Sequence, residues 1–147
     1  MRYFDASALA KRYVREKGSV TVRRLLSADV PATSRLSAVE IVSALMRRAR
    51  EGGFGNAERD RAFAALEADM AAMLVVELTS EIVTRARTLL QRHPFRAGDA
   101  IQLASCLYLQ EELGEEAVFV AFDDRLSVTA RQEGLTVTPR APRAGTA

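Results

Sequence analysis

Long apolar runs are missing from this chain. No stretch approaches the ~20 consecutive apolar residues needed to span a bilayer, and Asp5 and Lys11 interrupt the N-terminus where a secretory signal needs an unbroken apolar segment. The expected location is the cytoplasm, with no membrane partner. Cysteine is nearly absent too: Cys106 alone excludes an internal disulfide, and its setting in Leu103-Ala104-Ser105-Cys106-Leu107 suits core packing. Histidine is equally scarce. His93 precedes Pro94 and reads as a surface-loop residue, a general base being the rarer role. A charge excess is lacking as well, since a formal net charge of +2 does not argue for nucleic-acid binding. The pI near 9.0 rests on many arginines and few lysines, so a local arginine face remains open to phosphate even where the whole-chain balance is neutral. No internal repeat, linker or low-complexity block divides the chain.

What is present fits one domain: 147 residues, 48% of them hydrophobic, suffice for a sizeable core. The beginning organises the rest. Arg2 to Phe4 reads as a short strand that delivers Asp5 to its carboxyl end, followed at once by a helix over about Ala6 to Arg15, which Gly18 stops. A second helix is expected from Ser19 to Leu26 and a strand-like segment over Val30 to Ser34, with Pro31 at its start. From Ser37 the pattern Ala38, Ile41, Val42, Leu45, Met46, Ala49 is helical until Gly52-Gly53, and Asn56 reads as the N-cap of a helix to about Met70.

Leu74 to Leu78 forms the next expected strand, and Thr79 or Ser80 caps a helix that ends at His93-Pro94. Gly98-Asp99 opens the most apolar helix, whose wide stripe from Ala100 to Leu109 predicts burial. Ala117 to Phe122 has the β-branched and aromatic content of an interior strand and ends at Asp123-Asp124 before a short helix. A last strand is expected over Leu135 to Thr138, then a flexible tail over residues 139–147. Strands alternating with helices indicate an α/β three-layer domain with a mostly parallel central sheet over residues 1–138.

Four acids carry the candidate chemistry: Asp5, Glu40, Asp99 and Asp123. Each has a structural role open to it. Asp5, Asp99 and Asp123 can cap or open helices, and Glu40 stands in Ser-x-x-Glu spacing from Ser37, the pattern of a capping box. Their joint placement asks for more. Asp5 and Asp123 follow strands, so a parallel sheet projects both to one carboxyl edge, where ligands bind. Helix N-termini bring Glu40 and Asp99 toward the same place. Clustered carboxylates repel unless a positive charge lies between them. Oxygen donors without histidine or cysteine favour Mg²⁺ or Mn²⁺ over zinc, and such an ion suits phosphate-ester chemistry in a nuclease or a phosphatase.

The segments Phe4-Asp5-Ala6-Ser7-Ala8-Leu9, Ser37-Ala38-Val39-Glu40-Ile41-Val42-Ser43-Ala44-Leu45, Arg96-Ala97-Gly98-Asp99-Ala100-Ile101-Gln102-Leu103-Ala104 and Phe119-Val120-Ala121-Phe122-Asp123-Asp124-Arg125-Leu126 resemble, in order and spacing, the four signature blocks of PIN domains. The resemblance runs to about Val137, and the size and bare single domain look like the VapC toxins of toxin-antitoxin pairs. It implies a Mg²⁺- or Mn²⁺-dependent ribonuclease with Asp5, Glu40, Asp99 and Asp123 as catalytic and metal-binding acids. Ser7 would be a supporting hydroxyl and Arg96 a residue that steadies a carboxylate or meets a phosphate. Asp123 is preferred to Asp124 because Asp123 and Leu126 match the family's Asp-x-x-Leu. In one departure, Ala121 stands where many relatives have Ser or Thr. The resemblance further implies an RNA substrate, a cognate VapB-like antitoxin and a homodimer, with the antitoxin groove expected on the helices from Ser37 to Met70, near Phe54 and Leu45. Two rivals are a catalytically weak RNA- or protein-binding module and a haloacid-dehalogenase-like phosphatase, the latter needing an acid where Ser7 stands.

Overall fold

The computed structural model of the protein describes residues 1–140. Five strands, β1 (Arg2–Phe4), β2 (Pro31–Ser34), β3 (Leu74–Val76), β4 (Val118–Val120) and β5 (Val137–Thr138), make one sheet in the order β3-β2-β1-β4-β5, every pairing parallel. Seven helices among the described residues connect and cover them: α1 (Ala6–Ala10), α2 (Ser19–Ala28), α3 (Leu36–Arg50), α4 (Asn56–Ala72), α5 (Ser80–Arg92), α6 (Ala97–Leu113) and α7 (Asp124–Gln132).

Strand alternation sorts the core into two layers. Tyr3 and Phe119 project to one face, stacked with centroids 5.7 Å apart, and pack with Ile82, Leu89, Leu103 and Leu126 from α5, α6 and α7. Phe4 and Val120, one residue on, project to the other face among Leu9, Val22, Ile41 and Leu66 from α1, α2, α3 and α4. Successive side chains on opposite faces, both apolar, are what a parallel sheet covered on both sides requires. Each wholly buried ring contributes about 2 kcal/mol by leaving water.

The structure corrects several local expectations. The first helix does not reach Arg15: α1 ends at Ala10, and Lys11, Arg12 and Tyr13 turn through N–H bonds to the carbonyls three residues back. A tertiary contact overrides the helical pattern there, because Arg12 Nε and the Tyr13 hydroxyl both donate to Asp69 of α4, at 2.6 and 2.8 Å. Asn56 lies inside α4, whose N-cap is Gly55. The Ser37–Glu40 capping box does not form. Arg35 is the N-cap of α3, Ser34 Oγ accepts from Leu36 N at 3.1 Å, and Ser37 turns its hydroxyl into the core.

The hairpin of α3 and α4 differs from expectation in a way that bears on partners. Much of its apolar face is covered: Ile41, Leu45, Ala62, Leu66 and Met70 are buried against α1, α2 and the sheet, while Val39 and Val42 of α3 stay exposed. Leu45, 1% exposed, belongs to the core. Of the expected tail, residues 141–147 lie outside the described residues. No helix among those described is long and apolar enough to cross a membrane.

Candidate active site

Strand order reverses between β1 and β4, because β2 and β3 extend to one side of β1 while β4 and β5 extend to the other. At such a switch point the connections leave in opposite directions and open a crevice beyond the strand ends. Asp5 follows β1 directly. Asp123 follows β4 less closely than the sequence suggests, since the strand stops at Val120, although Ala121 N still donates to Thr138 O at 3.1 Å. Both acids are N-caps: Asp5 Oδ1 accepts from Ala8 N and Asp123 Oδ1 from Leu126 N, each at 2.8 Å. Capping therefore operates, and it aims the two side chains at the crevice.

The crevice is a cleft of about 840 Å³ with Ser7, Glu40, Asp99 and Asp123 in its walls and Asp5, 3% exposed, beneath them. The structure thus brings all four sequence-derived acids to one place. Ser7 is exposed to the cleft, and Arg96, the N-cap of α6, stands at its edge. Lys11, Arg47, Arg48 and Arg125 complete a basic rim around an acidic floor.

Electrostatics register the convergence. The Asp5 carboxyl is pushed up to about 7 by burial, opposed by the Ala8 N–H and reinforced by the charges of Asp99, Glu40 and Asp123. Burial also raises Glu40, with the Gln102 hydrogen bond opposing and Asp99 adding to the rise. Asp99 is raised by burial and by Asp123, against the Arg96 backbone N–H and guanidinium. Carboxylates that raise one another's proton affinity form a site deficient in positive charge.

A polar chain that the sequence reading missed holds the site from below. Gln102, 2% exposed, accepts from the Tyr3 hydroxyl at 2.7 Å and donates to Ser37 Oγ at 3.0 Å and Glu40 Oε1 at 3.4 Å. Ser37 and Thr33 share a hydrogen bond of 2.7 Å, and Thr33 donates to Phe4 O at 2.7 Å, one residue before Asp5. Glu40 is thereby tied through one chain of bonds to the strand that carries Asp5. The available signal was a glutamine in the otherwise apolar stripe of α6. Gly98 completes the fit, because a Cβ there would stand 3.2 Å from Glu40 Oε1.

The donor set fits a hard divalent cation. Every donor is an oxygen, and the mutual repulsion of the acids is what such an ion relieves. Among the described residues, no group of three or more histidine, cysteine or acidic side chains stands placed to hold a metal ion directly. Mg²⁺ keeps several of its waters, so the fit rests on the oxygen chemistry of the acids and not on a closed cage.

A parallel α/β domain with acids gathered at its switch point is the class defined by these observations. A sequence model of the PIN domain matches residues 2–132, and the chain belongs to the PIN domain family. Ribonuclease VapC45 of Mycobacterium tuberculosis (strain CDC 1551 / Oshkosh) is 36% identical over 144 residues, spanning 93% of this chain and 94% of that protein. Among solved structures, Mycobacterium tuberculosis VapC20, described as a sarcin-ricin loop cleaving toxin, superposes with a TM-score of 0.68 at 23% identity, over 92% of this chain and 97% of that one. VapBC2 of Rickettsia felis, solved bound to a DNA fragment from its promoter, gives a TM-score of 0.61 at 9% identity, over 93% of this chain and 97% of that one. These two structural likenesses speak for the fold. The haloacid-dehalogenase alternative falls with the family membership.

Proposed function

We propose that the chain is a Mg²⁺- or Mn²⁺-dependent endoribonuclease, the toxin of a toxin-antitoxin pair, with residues 1–138 as the nuclease domain. The observation that carries this reading is the convergence of Asp5, Glu40, Asp99 and Asp123 at the β1–β4 switch point, with Asp5 pushed up to about 7. The ribonuclease name borne by a relative 36% identical supports it.

Asp5, Glu40 and Asp99 would hold a divalent cation, with Asp123 as the fourth acid, and that ion would supply a lowered pKa for an attacking water and positive charge against phosphoryl oxygens. The chain's own residues prepare that chemistry. The high proton affinity of Asp5 means that loading exchanges a proton for metal charge, so occupancy falls in acid. Gln102 fixes the carboxylate of Glu40 through Oε1 and leaves its other oxygen for the cleft. Ser7 offers a hydroxyl beside Asp5, and Arg96 a guanidinium for a substrate phosphate. Ala121 supplies no hydroxyl to Asp123, which makes the last acid the least supported of the four.

The partner in this reading is a VapB-like antitoxin, and the assembly is a homodimer. Light scattering of the purified chain checks the dimer. The decisive experiment incubates purified, antitoxin-free protein with a pool of structured RNAs and Mn²⁺ or Mg²⁺, beside a chelator control and Asp99→Asn. Cleavage that needs the metal and falls by about 10³-fold in Asp99→Asn is the expected result. Cleavage at the parent rate by a folded Asp99→Asn protein would refute the assignment.

A further inference from the structure

Beside the acidic cleft lies a second groove, of about 630 Å³, between the turn that follows α1 and the tip of the α3–α4 hairpin. Arg12, Arg15, Arg23, Arg48 and Arg61 line it against a single acid, Glu58. They come from four parts of the chain, so only the folded protein assembles them. Val14 and Arg48 line both cavities, which places the groove directly beside the cleft.

Three of the five arginines are held in place by hydrogen bonds. Arg12 Nε donates to Asp69 at 2.6 Å, and the Tyr13 hydroxyl locks the same carboxylate. Arg23 Nη2 donates to Arg12 O at 3.3 Å, and Arg48 Nη1 to Glu16 Oε2 at 3.1 Å. Gly53 allows the Arg48 stem to fold against the hairpin turn, since a Cβ there would lie 2.6 Å from Arg48 Cγ. With Arg12 and Arg48 paired, Arg15, Arg23 and Arg61 present exposed charge over Glu58. Arg15 and Arg61 form no ion pair or side-chain hydrogen bond among the described residues. Half-buried Phe54 adds an aromatic surface to the groove wall.

We infer that this groove binds the phosphate backbone of the RNA strand that flanks the scissile bond. The inference rests on the ribonuclease reading and deepens it, extending the substrate site beyond the cleft. Exposed guanidiniums suit phosphate oxygens, an aromatic face suits an unpaired base, and the shared wall at Val14 and Arg48 puts a strand lying in the groove within reach of the cleft. An apolar helix fits this groove poorly, because five arginines line it. The substrate is accordingly single-stranded at the cleavage point and extends several nucleotides to one side of it.

Binding tests the groove apart from catalysis. Fluorescence anisotropy of a labelled single-stranded RNA of roughly 12 nucleotides, a length set by typical single-strand footprints, is followed against salt with Asp99→Asn protein. The same background carries Arg15→Gln/Arg61→Gln, Arg15→Lys/Arg61→Lys, and Arg87→Gln as a charge control on α5. The glutamine pair is expected to weaken binding about tenfold and to lower the slope of log affinity against log salt by about 1.4, the share of two phosphate contacts on a single strand. The lysine pair keeps the slope, and Arg87→Gln changes neither quantity. Equal affinity for the glutamine pair, or no RNA binding by the Asp99→Asn parent, overturns the inference. So does an unchanged RNA affinity accompanied by lost affinity for a polyglutamate peptide, which would make the groove a dock for an acidic protein segment. Failure of the nuclease reading appears separately, as absent metal-dependent cleavage by the unmutated chain.

Discussion

The two cavities that meet at Arg48 hold their charges in opposite ways. In the arginine groove, Asp69 and Glu16 neutralise Arg12 and Arg48 in place, so the groove persists without a ligand. In the cleft, four acids converge inside a basic rim without a paired cation of their own, and burial raises Asp5, Glu40 and Asp99 together. The groove's anchoring arginines are paired, and the cleft's acids are not. A compensated site responds to ionic strength, because its ligand must displace counterions. An uncompensated one responds to protons and cations, because either relieves its own repulsion.

The largest expected effect sharpens that contrast. Saturating Mn²⁺ at pH 7.5 should raise the stability of the chain by about 2.7 kcal/mol at roughly 100 times its Kd, read as a shift in thermal midpoint. Asp99→Asn should abolish most of the shift, and Arg15→Gln/Arg61→Gln none of it. Next in size, Gln102→Leu takes the acceptor from the buried Tyr3 hydroxyl, leaves Ser37 with Thr33 alone, and should cost about 2 kcal/mol by urea unfolding, while Mn²⁺ affinity falls as Glu40 loses its anchor. Asp69→Asn attacks the compensated side. It weakens the clamp on Arg12 and Tyr13 and should cost about 1–2 kcal/mol, with no change in Mn²⁺ affinity.

Proton dependence distinguishes the two regions further. Asp5 titrates higher in the folded chain than in the unfolded one, so it binds protons more tightly when folded. Its favourable contribution is complete below its unfolded value and is lost as pH rises toward about 7. Metal-free protein should therefore lose stability between about pH 4 and pH 7. Asp5→Asn retains a side chain able to cap α1, removes the charge, and should flatten that loss while abolishing cleavage. A profile unchanged by Asp5→Asn would mean that Asp5 is not the strained group. The smallest effect belongs to Gly98→Ala, whose Cβ presses on Glu40 Oε1 and should reduce cleavage by a few fold with little change in stability.

Much of this was legible in the chain. Short apolar strands ending in Asp5 and Asp123 announced a parallel sheet, and alternate projection of Tyr3 and Phe4 explains why those runs are apolar throughout. The four acids were legible because strand ends and helix starts fix where their side chains go. Other features depend on contacts between distant segments. Gln102 looked like an ordinary member of a buried helix until Tyr3 and Ser37 were brought to it. Ser37 and Glu40 had the spacing of a cap, yet Thr33 and Gln102 offered their side chains stronger partners. Arg12 and Tyr13 continued a helical pattern that Asp69, 56 residues beyond Tyr13, interrupts. The arginine groove has no local signature, because no one segment supplies it.

The placement of β1 between β2 and β4 also sets an order of events during synthesis. β1 leaves the ribosome well before its neighbour β4 and the acid Asp123, more than 110 residues later in the domain. Domains fold as units once their parts are available. Until about residue 123 has emerged, β1 lacks one flank, Phe4 lacks the cover of Val120, and the cleft lacks a wall. A nascent or truncated chain ending before β4 therefore carries three of the acids without the crevice that assembles them, and the cell meets the complete constellation only when translation of the domain is nearly finished.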